Sequence, residues 1–358
     1  TVRGLDSIAG FDAQVFDFIV KVNFVSDVTL AKFDWDSTDA GSTIDTEISL
    51  AATPLNLTDD TNDGAIDITT GLTIGGFIQL DLFDAVQAFG SFTLSSSIQD
   101  VADGNRVIAG AEVLTISVSN VSLFAGAGGA FVLNGLQATA IDTTVGTGFR
   151  ATNANLDLAI ITQTADNALT TAVETREALT WTSVAVFVEE VTLQNFPDAL
   201  DITATDLSVK MNIAATSATE GDIKLDWSSV TQVSGTMLSE IDTTLGIEFS
   251  GAMNIQVDSV VLLSGAFAGT VKELATLDGG TTNTSALTNV SVLTFGLTDV
   301  YLFAGTGGAI ANDADDAVIG FADQGTGFKA EGLTLELAII TETATSTPVM
   351  VGDALRSW

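Results

Sequence analysis

Two stretches of this chain decide how it folds: GTGFRATNANLDLAIITQTA at Gly146–Ala165 and GTGFKAEGLTLELAIITETA at Gly325–Ala344. They are near copies, offset by 179 residues from Gly146 to Gly325. In the first, Leu156, Leu158 and Ile160 alternate with Asn155, Asp157 and Ala159. In the second, Leu333, Leu335, Leu337 and Ile339 alternate with Thr334, Glu336 and Ala338. A period of two marks a β-strand with one apolar and one wetter face. The same offset relates LFAGAGGA (Leu123–Ala130) to LFAGTGGA (Leu302–Ala309). Long internal repeats of this kind decide architecture before any local detail does.

Weaker matches extend the repeat. Lys32-Phe33-Asp34-Trp35 pairs with Lys224-Leu225-Asp226-Trp227, and Ile66-Asp67 with Ile241-Asp242. Ala178-Leu179-Thr180-Trp181 resembles Ala354-Leu355-Arg356-Ser357-Trp358, so all four tryptophans fall into pairs. The expected organisation is two units, 1–181 and 182–358, cut from a longer tandem array. The first unit carries an insertion over most of Ala51–Ala65.

Further alternation at Leu114–Val118 and Leu200–Ala204 gives the chain an all-β reading. Helix is expected only at Ala165–Glu177 and, more weakly, Phe83–Phe89. With three prolines and no Pro-rich linker, the units are expected to share a continuous sheet. The architecture this favours is an elongated tandem repeat, a β-solenoid or open β-roll. A chain of β-sandwich domains is the alternative.

Composition removes several functions. With 11 Lys+Arg against 46 Asp+Glu, the net charge is −35. Such a chain repels nucleic acid and anionic membrane surfaces, and divalent cations are its natural small partners. It has no Cys and no His, which excludes disulfides, thiolate catalysis and a Ser-His-Asp triad. Its apolar runs are short, as at Val260–Leu263, so no membrane insertion is expected.

The strongest chemical motif is Leu57-Thr58-Asp59-Asp60-Thr61-Asn62-Asp63-Gly64-Ala65-Ile66-Asp67. It resembles the calcium loops of EF-hand, dockerin and thrombospondin-like repeats. Those loops alternate carboxylates, bend at a sixth-position glycine and follow it with an apolar anchor. Asp59, Thr61, Asp63 and Asp67 are the candidate ligands. Thr61 stands where Asp or Asn is usual, and Thr70 where a bidentate Glu is usual. A second acidic loop offers Asn312, Asp313, Asp315 and Asp316, without the turn glycine. Solvated turns are the competing reading of both. The glycines at 126, 128 and 129 and at 305, 307 and 308 lack phosphate-loop spacing and a following Lys. They read as tight turns. Glu189-Glu190 cannot converge on a strand, where neighbours point to opposite faces.

LFAGxGGA, an acidic loop and then GxGFxxxxxxLxLAII together resemble a repeat of very large bacterial extracellular proteins. The resemblance covers Val113–Ala165 and Val292–Ala344 best. It implies a secreted, surface-associated or filament-forming role and no catalytic residues. The expected function is a structural repeat segment of a bacterial surface filament, sheath or adhesin. It would assemble end to end with copies of itself and be stabilised by calcium. The alternative is a glycan- or surface-binding adhesin using Trp35 with Trp227, or Trp181 with Trp358.

Overall fold

A computed structural model describes residues 11–24, 71–163, 177–196, 200–217, 221–277, 287–312, 318–321 and 325–342. The described residues are all-β. One open antiparallel sheet holds eleven strands. In sheet order these are β1 (Phe11–Val22), β2 (Leu72–Leu82), β3 (Val86–Ala102), β4 (Val107–Ala127), β7 (Thr147–Gln163), β8 (Leu179–Gln194), β9 (Leu200–Ile213), β12 (Leu245–Val257), β13 (Val261–Leu277), β14 (Leu287–Thr306) and β17 (Thr326–Glu342). Sheet order follows chain order, so every main strand pairs with its neighbours along the sequence. The intervening strands make three side hairpins: β5 (Ala130–Asn134) with β6 (Gln137–Asp142), β10 (Ala215–Ser217) with β11 (Gly221–Ile223), and β15 (Ile310–Asn312) with β16 (Val318–Phe321).

The alternating stretches lie where expected, in β4, β7, β9 and β17. Phe83–Phe89 is not helical. Phe83 and Asp84 take positive φ in a tight turn, and Val86 onward is β3. Ala165–Glu177 lies outside the described residues except for Glu177. The boundary expected between Trp181 and Thr182 falls inside β8, and the sheet runs through that point unbroken.

The register shows two different faces. One hydrogen-bonded row reads Val20, Ile74, Leu94, Ile116, Leu158, Val184, Met211, Ile247, Val271, Leu293 and Ile339, apolar on all eleven strands. The parallel row two residues away reads Gly76, Phe92, Val118, Leu156, Val186, Val209, Phe249, Gly269, Phe295 and Leu337. No side chain of these two rows beyond glycine is fully buried. This is the open face. The row between them points the other way and includes Thr93, Ser117, Asp157, Lys210, Glu248 and Thr270. This second face is the covered one, because the side segments fold onto it.

Each cover encloses its own core. The β5–β6 hairpin closes over Phe89, Phe124, Ala138 and Ile141. The β15–β16 hairpin closes over Leu262, Phe303 and Phe321. The largest core lies under residues 214–244, which include β10, β11 and three short 3-10 turns.

A row of backbone irregularities crosses the sheet. Asp17, Asn120, Asn153, Asp206 and Asp299 all hold φ between 48° and 53° inside strands. Asn and Asp tolerate this left-handed conformation better than other non-glycine residues. Glycine stands opposite several of them, because the bulged strand leans across. A Cβ on Gly90 would lie 2.9 Å from Val121 Cγ2, and one on Gly251 2.6 Å from Leu207 Cδ2. Bulges add local twist, so an aligned row bends the sheet along one line.

Candidate functional site

Of the expected cation ligands, Asp59, Thr61, Asp63 and Asp67 lie outside the described residues, as do Asp313, Asp315 and Asp316. Asn312 ends β15, paired with Val318. Among the described residues no group of three or more carboxylates is placed to hold a metal.

The glycine blocks have a packing role. Gly126 on β4 and Gly148 on β7 pair directly, and a Cβ on Gly126 would lie 2.2 Å from Thr147 O and 2.9 Å from Phe124 Cζ. Gly305 repeats this against Thr326 O at 2.2 Å and Phe303 Cζ at 2.9 Å. Both rings are buried beneath the hairpins that follow. Gly128 and Gly307 do take positive φ, 85° and 74°, as a tight turn requires. Close approach explains the other glycines better than turn geometry does.

Trp181 and Trp227 are fully buried, so neither offers a sugar-stacking surface. Trp35 and Trp358 lie outside the described residues. Glu189 and Glu190 do not converge; Glu189 instead accepts from Asn153 Nδ2 at 2.7 Å.

The most elaborate arrangement on the covered face joins the two units. Segment 214–244 leaves β9 in the second unit and runs back over strands of the first. Its Leu225, Trp227, Val230, Val233, Leu238 and Ile241 share one core with Ala111, Val113, Ala159 and Ile161 of β4 and β7. Burying a large aliphatic or aromatic side chain contributes about 1.5–3 kcal/mol each. Polar contacts set the position. Asn212, at the end of β9, donates to Leu225 O at 3.0 Å and Asp242 O at 2.8 Å, holding both ends of the turn region. Its Oδ1 accepts from Trp227 Nε1 at 3.0 Å. Asp157 of β7 accepts from Ser117 Oγ at 2.7 Å and from Met237 N at 2.9 Å. Gln232 Nε2 donates to Asp100 O on β3 at 3.3 Å.

Lysines fasten the segment to its own unit. Lys210 Nζ lies 2.6 Å from Glu240 and 3.2 Å from Glu248. Burial pushes the Lys210 pKa down, but the two carboxylates outweigh it and the net shift is upward. Lys224 Nζ bonds Leu245 O at 2.9 Å and Glu273 at 2.8 Å.

Beside this junction lies a cleft of about 380 Å³, lined by Gly71, Thr73, Ser95, Ser96, Ser97, Gln99, Val113, Thr115, Thr231 and Gln232. Its polar groups are hydroxyls and amides, without an acid, a base or an activated nucleophile. Such a lining can hydrogen-bond but cannot exchange protons near neutral pH.

Sequence reasoning found the KLDW block and the tryptophan pairing, but not that the block closes the other unit's core. Asn212 was missed. Its signal was the recurrence of Val20-Lys21-Val22-Asn23 as Val209-Lys210-Met211-Asn212. Asn23 is 5% exposed and Asn212 3%, unusually low for a polar side chain at a strand end.

No family model matches the chain, and neither a curated protein nor a solved structure matches it.

Proposed function

We propose that this chain is a non-enzymatic structural segment of a secreted bacterial surface filament, sheath or adhesin, an elongated array whose units join end to end. The observation that carries the reading is the junction. A segment of the second unit completes the hydrophobic core of the first, and β8 continues across the boundary. Repeat proteins gain stability in this way, from interfaces between neighbours as much as from each unit alone. Among the described strands, β1 and β17 are the two ends of the sheet, the positions where a further strand can add. No helix among the described residues is long and apolar enough to cross a membrane. Calcium belongs to the proposal through the Asp59–Asp67 loop and the −35 charge, which a divalent cation would screen.

Sedimentation and thermal melts over a concentration series, in calcium and in chelator, test both parts. The 36.9 kDa chain is expected to grow in steps of its own mass, and to melt higher in calcium. A chain that stays monomeric at every concentration contradicts end-to-end joining. An identical melting temperature in chelator removes calcium.

A further inference from the structure

We propose that the open apolar face of the eleven-stranded sheet is the surface on which a second copy of this chain packs, face to face, as a two-sheet sandwich. The inference does not rest on end-to-end joining, which uses the ends of the sheet and not its face.

An apolar sheet face is stable when another layer buries it. The opposite face has its covers, and among the described residues this one has none. A third row extends the two given above and includes Ile78, Val188, Leu207, Phe267, Leu297 and Leu335. The three rows hold no charged residue, and apart from glycine none of their residues is buried. Strands stand about 4.8 Å apart and same-face residues about 6.7 Å apart along a strand, so three rows across eleven strands cover about 1,000 Å². The largest apolar patch on a typical monomer is about 300–600 Å². A stable interface buries about 800 Å² on each partner, so this patch is large enough for one.

Composition identifies the occupant. A lipid surface calls for Trp or Tyr at the level of its headgroups and for Lys or Arg near its phosphates. The three rows contain none of these four. Anionic headgroups would also repel a chain of net charge −35. A second sheet asks only for interdigitating apolar side chains, which the rows supply. The rings level the surface: Phe249 takes the space that a Cβ on Gly269 would need, and the rings of Phe267 and Phe295 follow at 6.5 and 6.4 Å between centroids. A second copy brings the same uncharged rows, so two strongly acidic chains can meet without a carboxylate in this patch. Two such faces stack about 10 Å apart, with their strands within about 30° of one another. The contact is isologous, using the same surface on both copies, and it closes at two.

Sedimentation in chelator over a concentration series tests the face, at about 0.1 M and about 1 M salt. The wild type is expected to dimerise, and more tightly at high salt, because screening weakens the repulsion between two chains of charge −35. Val209→Asp and Val209→Lys place either sign of charge near the middle of the face, on the seventh strand of eleven. Each is expected to weaken dimerisation about tenfold or more. Thr93→Asp, at an exposed position on the opposite face, should leave it unchanged. In dilute solution the copies separate, and all three variants should melt close to the wild type. A wild type that is monomeric throughout overturns the face, as does a dimer that survives either Val209 variant or is lost in Thr93→Asp. A Val209 variant that melts far below the dilute wild type also overturns it, because the single chain then covers the face itself. Binding of the wild type, but not of Val209→Asp, to neutral phosphatidylcholine vesicles would make lipid the occupant instead. End-to-end joining is read separately, as growth in calcium that the Val209 variants keep.

Discussion

At the scale of single residues, Gln87 is the most exposed weakness of the first unit. It is 1% exposed, and neither atom of its amide has a hydrogen-bond partner. It lies against the Phe124–Gly129 pack, where the second unit has Leu262, fully buried against Phe303 and Gly308. An unpaired buried polar group costs about 1–3 kcal/mol. Gln87→Leu is therefore expected to raise unfolding free energy by about 1–2 kcal/mol in a denaturant titration. A neutral or destabilising result would mean that the amide has a partner such as bound water.

The repeated Ile-Asp-Thr-Thr turns behave differently. Asp142 and Asp242 each accept from the N–H and hydroxyl of the threonine two residues on, Thr144 and Thr244. For Asp242, partial burial pushes the pKa up. The bonds from Thr244 and Leu245 and the charge of Lys272 more than offset this, leaving it below the ordinary 3.8. A carboxylate with a depressed folded pKa stabilises fully above its unfolded pKa and loses that contribution as pH falls through the folded one. Asp242→Asn should thus lower the melting temperature more at pH 7 than at pH 3. Equal losses at the two pH values would mean that the charge contributes nothing.

At the scale of elements, the strands were legible and their faces were not. Alternation located β4, β7, β9 and β17 because a half-buried strand writes its period into the sequence. What alternation could not show was the beat lost at each bulge. In β7, Ala151 and Ala154 pair with Leu123 and Val121, three residues apart against two, so the apolar face survives a slip around Asn153. A reader counting every second residue loses the face there. Asn or Asp inside an otherwise alternating run was the available signal. Phe83–Phe89 misled for a related reason: its apolar residues belong to a turn and a strand start, too short a window for any period to decide. The calcium-loop ligands at 59–67 remain a sequence expectation, because they fall outside the described residues.

The two faces predict unequal tolerance. Ile161 is fully buried in the junction core, whereas Val209 on the open face is 36% exposed. An aspartate at Ile161 buries an unpaired charge and should cost about 4 kcal/mol or more. At Val209 it should cost about 1 kcal/mol, the scale of strand propensity. Urea melts of Ile161→Asp and Val209→Asp measure the difference. Comparable losses would mean that the open face is buried too.

At the scale of the whole molecule, the repeat and the continuous sheet could be read from an offset and from the lack of linkers. The junction could not, since nothing in a sequence says on which neighbour a connecting segment lies. The acidic charge is absent from the two apolar rows quoted for the open face. In the proposed array, growth by adding strands would set the axis along the inter-strand hydrogen bonds, at about 4.8 Å per strand.

That direction has a mechanical consequence. Tension along the array would load the ladders in opening, so strands could peel apart one after another at low force. Segment 214–244 changes the outcome. It leaves β9 and is bonded to β7 at Asp157 and to β3 at Asp100, so it reaches across four strand boundaries. A pull that would unzip β7 from β8 must also strip this strap and its buried Trp227 from the core beneath. The strap turns a tear line into a lap joint.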